Sequence, residues 1–559
     1  MTAGPDRRQR FARLIRRQCR APITPTIGAI TFFWLALTPS LLPRTPVFQA
    51  LVAAVALLTG YALGALLGWL IRGFGGHLVG PPRRRAWQVV TWVGGLGSLV
   101  ALGLSLRWEN EVRDLVGMDR VGVAHVVLSL LLTAVLTVVL LGVARALKAL
   151  GRYVGRQIGR LLPAKVATVV GGLVAGLVVY EIAFGVGGSW VVSTLDSSFM
   201  VLNDEFSTTV PAPTIPEVSA GPASGEDWND LGRQGRLFIA NTPTQQDIAA
   251  FSGREALQPV RAYIGAGPEG VRLRDEAARA ADELKRLGGF DRAVVNVVTG
   301  TGRGWVNENQ AQALEFMWGG DTATVSMQYS YLPSWMSFLT DGDRAQDAGR
   351  ALFDAIYADW LELPAADRPL LVVSGESLGT FGGEAAFSGD QDLATRTDGA
   401  LFVGPTNNNA LWSRFTAERD AGTPEVLPTY DGGATVRFAD RPADWGSAGA
   451  WEGTRVGYLQ HANDPITWWD WSLALHKPDW LSEPRGRDVS PSMRWIPFIT
   501  MLQLGAADQM VANSVPAGQG HQFGQEPAYA WASILPPPGW TAADTDRLAH
   551  VLQARAPRQ

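Results

Sequence analysis

Cysteine is almost missing from this chain: Cys19 is the only one in 559 residues. No intrachain disulfide can form. A thiol nucleophile has a single candidate, set in an arginine cluster with no histidine near it in sequence, so Cys19 reads as incidental. Charge is also sparse, at 18% of residues and a net −4, so no polyelectrolyte partner such as nucleic acid is implied. There are only six histidines, and no His, Cys, Asp or Glu cluster has the spacing of metal ligands, so neither a metal nor another cofactor is implied. The most informative absence is local. Asp, Glu, Lys and Arg are missing altogether from the apolar runs 24–43, 47–71, 86–106 and 121–144, and a fifth run, 166–190, holds one acid, Glu181.

A helix needs about 20 apolar residues to cross the hydrocarbon core of a bilayer. The five runs therefore predict five transmembrane helices within a membrane domain over 1–195. Glycines inside them (GYALGALLGW, VGGLGSL, VGGLVAG) suit helices that approach closely in lipid. A signal peptide competes for the first run, but four more runs follow and no small-residue cleavage site is present. The loops set the direction. Residues 1–23 carry seven arginines and one acid, 72–85 carry four arginines, and 148–165 carry Lys148, Arg152, Arg156, Arg160 and Lys165 with no acid. The alternate loops 44–46 and 107–120 lack such an excess. Basic loops stay in the cytoplasm, so the N-terminus is expected inside and everything after 190 outside. Arg152, Arg156 and Arg160 would line one helix face beside anionic headgroups. Glu181, near the outer end of its run, is expected to reach the interface rather than serve transport.

Residues 196–232 mix Pro, Ser, Ala and Thr without periodicity and read as a tether. From 233 to 559 strand-like and helix-like stretches alternate. GRLFIA, PVRAYIG, RAVVNVVTGTG, TATVSMQYS, PLLVVSG, GALFVGP and RVGYLQ read as strands, and 272–288, QAQALEFMW and DRAQDAGRALFDAIYADWLEL as helices. Near-continuously apolar strands between helices predict a mostly parallel sheet covered on both faces.

The stretch VVSGESLGTFGG ends one of these strands with Ser377 between Gly375 and Gly379. A G-x-S-x-G turn from strand to helix can lift a serine clear of the sheet as a nucleophile. The pentapeptide alone is a common pattern, and an ordinary tight turn is its plain alternative. A serine of this kind needs a base, and the base an orienting acid. His77 and His125 fall in the membrane half, and His550 on a terminal amphipathic helix. Asp464 follows the strand RVGYLQ, where an acid should stand. His461 opens the same loop and reads as a packing residue, and His476 follows Asp464 too closely for another helix and strand. His521, in the glycine-rich AGQGHQFG, remains. The expected triad is Ser377, Asp464 and His521, with Asp470 and Asp508 as alternative acids.

Donors to a developing oxyanion would be the Leu378 N–H and an amide from VVTGTGRGW, at Thr301, Gly302 or Arg303. As a phosphate cradle that loop lacks the following Lys-Ser/Thr. The apolar stretches 330–339 and 493–504, outside the expected strands, read as cap or lid elements that rest on the membrane and admit acyl chains.

Taken together, the TGTG turn, MQYSYLPSW, GESLG, LQHANDP and the late GHQFG behind five apolar runs resemble a group of bacterial membrane-anchored α/β-hydrolases, over nearly the whole chain. The resemblance implies an α/β-hydrolase domain with Ser377 as nucleophile, but no substrate. The helix at 272–288 departs from the basic plan and leaves strand numbering before the oxyanion turn open. The expected function is an esterase or lipase-like serine hydrolase, bilayer-bound and acting outside the cytoplasmic membrane on an acyl ester through an acyl-enzyme. The competing expectations are an envelope acyltransferase with the same triad and a non-catalytic transport or interaction protein.

Overall fold

The computed structural model describes residues 22–74, 81–158, 210–267, 271–331 and 342–555. They fall into two compact units. The first holds the described residues up to 158 with Asp470–Leu481 and Asp488–Val511. The second holds 210 to Trp469 with Ser482–Arg487 and the described residues from 512 onward.

The first unit contains, among the described residues, four helices from the N-terminal half: α1 (Ile23–Ala36), α2 (Pro46–Gly73), α3 (Pro81–Leu115) and α4 (Val123–Ile158). Among the described residues, three helices (α2, α3 and α4) are long and apolar enough to cross a membrane. This corrects the expectation of five. The first run yields a helix of 14 residues, about 21 Å at 1.5 Å per residue and short of the ~30 Å hydrocarbon core. Its helix stops because Pro39 disfavours helical geometry at Thr38. The Arg44 guanidinium then donates to the carbonyls of Ala36 (3.3 Å) and Thr38 (2.5 Å) at the helix end. The fifth run, 166–190, lies outside the described residues, as do Glu181, Cys19 and His77. The glycine expectation holds for α1 and α2, where a Cβ at Gly60 would lie 2.2 Å from the Gly28 carbonyl oxygen.

The stretch 493–504 packs in this same unit. Ile499 and Ala507 share a buried apolar cluster with Ala36, Val52, Ala53 and Ala56. Asp508 accepts from Ser40 Oγ (2.9 Å) and the Leu41 N–H (3.0 Å), and Glu111 accepts from Ser490 and Ser492. Of the other proposed cap element, 330–339, residues 332–339 lie outside the described residues.

The second unit is built on seven strands: β1 (Val260–Ile264), β2 (Val294–Thr299), β3 (Thr322–Met327), β4 (Leu370–Glu376), β5 (Gly399–Val403), β6 (Val436–Ala439) and β7 (Arg455–Leu459). Their order in the sheet is β1-β3-β2-β4-β5-β7-β6, and every pairing is parallel. The strands are buried almost throughout, consistent with their unbroken apolar runs. GRLFIA, expected as a strand, lies in helix α5 (Gly232–Ala240). Its buried positions Gly232, Gly235, Phe238 and Ile239 recur at helical spacing, which a short apolar run cannot reveal alone. Further helices flank the sheet, among them α6 (Leu273–Arg286), α7 (Glu308–Met317), α8 (Gly342–Glu362), α9 (Leu378–Glu384), α10 (Glu526–Ile534) and α11 (Ala542–Ala554). Part of the proline-rich stretch before α5 runs beside β1: Val218 is buried, and Ser219 Oγ donates to Glu283 and accepts from the Tyr263 N–H.

Candidate active site

In a parallel sheet, reactive groups gather where strands end and helices begin. Ser377 sits there, between β4 and α9, with φ 55° and ψ −124°. That backbone is strained for a residue with a side chain, and the flanking residues explain how it is held. A Cβ at Gly375 would lie 2.6 Å from the backbone of Gly379, and one at Gly379 would lie 2.2 Å from the Thr299 carbonyl oxygen. Larger residues cannot occupy either position, so the spacing of the two glycines is a packing requirement of this turn.

Neighbouring strand ends lace the site together. The Ser377 N–H donates to Val403 O at the end of β5 (2.9 Å), and the Gly404 N–H donates to Leu459 O at the end of β7 (2.8 Å). The His521 ring lies against Gly404, where an added Cβ would meet its Cε1 at 2.4 Å. Asp464 follows β7, fully buried, and accepts the His521 Nδ1–H at 2.6 Å. The structure thus joins two of the three expected residues directly and puts the third at the end of β4, separated from β7 by β5 alone. The Ser377 hydroxyl makes no hydrogen bond to a described residue, and His521 Nε2 is buried without a partner among the described residues. Burial alone would lower the His521 pKa, but the Asp464 carboxylate raises it above the ordinary imidazole value.

The alternative acids are occupied elsewhere. Asp470 accepts from the Ser472 N–H (2.7 Å), and Asp508 from Ser40 and Leu41. His550 is exposed on α11, as its amphipathic helix suggested.

The β2–β4 register pairs Thr299 with Gly375, so the loop after β2 lies beside the serine turn. The Thr301 N–H is already donated to Trp305 O (2.9 Å), which removes Thr301 as an amide donor to a ligand. Gly302 and Arg303 have no such backbone bond, and Leu378, first residue of α9, has no intrahelical acceptor for its N–H.

Several polar residues here went unforeseen. His461, Asn463 and Asp464 grip three successive residues. Asn463 bonds Gln519 (2.7 Å) and accepts the Gly520 N–H (2.9 Å), while His461 Nδ1–H donates to Gly520 O (2.7 Å). His461 Nε2–H donates to Glu526 (2.8 Å). The motif LQHANDP held this signal; only its aspartate was read as functional. Glu376, beside Ser377, accepts from Asn307, which also N-caps α7. Desolvation pushes the Glu376 carboxyl up to about 7, although His521 and Asn307 act against the rise.

A parallel sheet with a strained serine between strand and helix, and a buried Asp–His pair at the carboxyl end of the same sheet, defines an α/β-hydrolase type of fold. The chain matches the alpha/beta-hydrolase family over residues 260–548 and that family's N-terminal region over residues 37–243. It belongs to this family. No curated protein and no solved structure matches it.

Proposed function

We propose that the protein is a membrane-anchored serine hydrolase that cleaves an acyl ester outside the cytoplasmic membrane. The observation that carries this reading is the buried His521–Asp464 hydrogen bond at 2.6 Å, at the same carboxyl end of the sheet as the strained Ser377. Asp464 fixes the tautomer, so that Nε2 is the basic nitrogen. When substrate enters, His521 Nε2 takes the Ser377 proton as Oγ attacks the ester carbonyl. The N–H groups of Leu378 and of Gly302 or Arg303 hold the oxyanion. The protonated His521 returns its proton to the leaving alcohol, and water repeats the sequence in reverse to release the acid.

The loops support this location. Arg72, Arg83, Arg84, Arg85, Lys148 and Arg152 lie at one end of α2, α3 and α4, and positive segments stay inside. Residues 490, 492 and 508 bond instead to Glu111 and to the 40–41 loop, at the end without that excess. A crossing by the run 166–190 would bring the chain back to that side.

A fluorophosphonate probe applied to the full-length protein in detergent tests the proposal. Wild type should be labelled on Ser377, Ser377→Ala should not be labelled, and His521→Ala should react at least 10²-fold more slowly. Undiminished labelling of Ser377→Ala would remove the assignment.

A further inference from the structure

The turn that offers amides to the site also presents a charge. The Gly304 N–H closes it on Thr301 O (2.7 Å), which leaves Gly302 and Arg303 at the tip. On its other side Tyr263 pins the turn by donating its hydroxyl to Gly304 O (2.8 Å). The same Tyr263 ring packs on Gly235, where an added Cβ would lie 2.4 Å away. The start of α5, with Arg233, and the 301–304 turn therefore share one support.

Arg303 is exposed and has no hydrogen bond or ion pair to any described residue. Other arginines of this unit, such as Arg261, Arg396, Arg414 and Arg419, are engaged with carboxylates. Its guanidinium is held below its ordinary pKa by partial removal from water and by the like charge of Arg233. Two cations share this neighbourhood, and no described carboxylate is paired with Arg303. An anion would relieve that arrangement. Trp305, 37% exposed in the same loop, adds an apolar flank.

We infer that the site takes an ester bearing an anionic group, a phosphate or carboxylate, which the Arg303 guanidinium binds while Arg233 adds to the local positive potential. The inference rests on the reading of Ser377 as nucleophile. It gives the loop after β2 two tasks: a backbone amide for the reacting carbonyl and a side chain for the substrate's charge.

The test compares fluorophosphonates of equal chain length, ending in a methyl group, a carboxylate or a phosphate, by their rate of Ser377 labelling on the full-length protein in neutral detergent micelles. An anionic probe should react faster than the neutral one, by a margin that shrinks as salt rises. Arg303→Gln should cut that margin by about 10–100-fold, and Arg303→Lys should restore part of it. Competition then separates the sources of the anion. Protection of Ser377 by phosphatidylglycerol in mixed micelles supports a lipid headgroup, and protection by glycerol phosphate supports a soluble ester. Equal rates for all probes in wild type, or an Arg303→Gln that slows every probe alike, overturn the inference and leave the hydrolase reading intact. Failure of every probe to label Ser377 overturns the hydrolase reading itself.

Discussion

His461 and Glu526 form a buried ion pair, 2.8 Å from Nε2 to Oε2, that clamps the loop carrying His521. The other ring nitrogen donates to Gly520 O, and the ring stacks on Phe523 at a centroid distance of 4.4 Å. Both nitrogens are used, so His461 has no free base to offer. Burial would lower its pKa, but the bond to Glu526 and the nearby carboxylates raise it to about 9. A raised histidine pKa contributes stability that is complete below about 6.5 and lost as pH climbs through 9. His461→Phe keeps the stacking, removes both hydrogen bonds and leaves Glu526 buried alone, which should cost about 3–5 kcal/mol. We expect the melting temperature of wild type to fall between pH 7 and 10 more steeply than that of His461→Phe. Probe labelling of Ser377 should slow about 10-fold or more in the variant, because the His521 loop loses its clamp. Matching pH slopes in the two proteins would refute the role of the pair.

Glu376 supplies a second pH-dependent effect, close to the serine itself. With its carboxyl raised to about 7, the folded protein binds more protons than the unfolded chain between about 4.5 and 7. Its stabilising contribution is therefore largest at acidic pH and lost as pH rises through 7. Above that value its charge favours a protonated His521. Glu376→Gln retains an acceptor for Asn307 but removes the charge, so the acid limb of the labelling rate should move to lower pH. An unmoved limb would show that the two groups are electrostatically independent.

Close approach in the membrane half gives a comparison within one chain. A Cβ at Gly60 collides with the backbone of α1, whereas one at Gly95 meets nothing within 4 Å. Gly95→Ala should leave stability unchanged or raise it slightly, since alanine favours helix by about 1 kcal/mol over glycine. Gly60→Ala should destabilise despite the same propensity gain. Thermal unfolding of the two variants in one detergent checks the contrast. Equal shifts would mean that α1 and α2 do not pack as described.

Much of the α/β-hydrolase half was legible because its signals are local. Unbroken apolar runs gave six of the seven strands, and the glycine spacing around Ser377 expressed a steric demand met within five residues. Asp464 was readable from its place after a strand, and His521 by eliminating five other histidines. The edge strand β6, four residues long, gave too brief a pattern to stand out. GRLFIA misled because four apolar neighbours fit either period. Glu376, Asn307 and Glu526 were illegible for a different reason. Their roles depend on partners 65 to 69 positions away, and only folding brings such charges out of water together. The first apolar run was misjudged because the hydropathy of 24–43 says nothing of where Pro39 ends the helix.

Asp508 links the late sequence to the N-terminal helices, and its removal should be felt by the whole first unit. Its carboxylate accepts from Ser40 Oγ (2.9 Å), the Leu41 N–H (3.0 Å) and the Leu42 N–H (3.4 Å), all buried. Desolvation lifts the group to about 6, against the pull of Arg44 and these donors. A raised carboxylate favours the folded state most at low pH, and the gain disappears as pH passes from about 4 to 6. Asp508→Ala leaves three donors without an acceptor; at about 1–3 kcal/mol for each unsatisfied group, the set should cost at least about 3–5 kcal/mol. Asp508→Asn should lose less and should flatten the change of melting temperature between pH 4 and 6. The same contacts imply that a chain cut to residues 233–559 exposes Ile499 and Ala507, which are otherwise buried against α1 and α2. Such a fragment should aggregate without detergent, whereas the full chain in micelles should elute as a single species. A monodisperse, probe-reactive fragment in detergent-free buffer would show that residues 488–511 fold without the membrane helices.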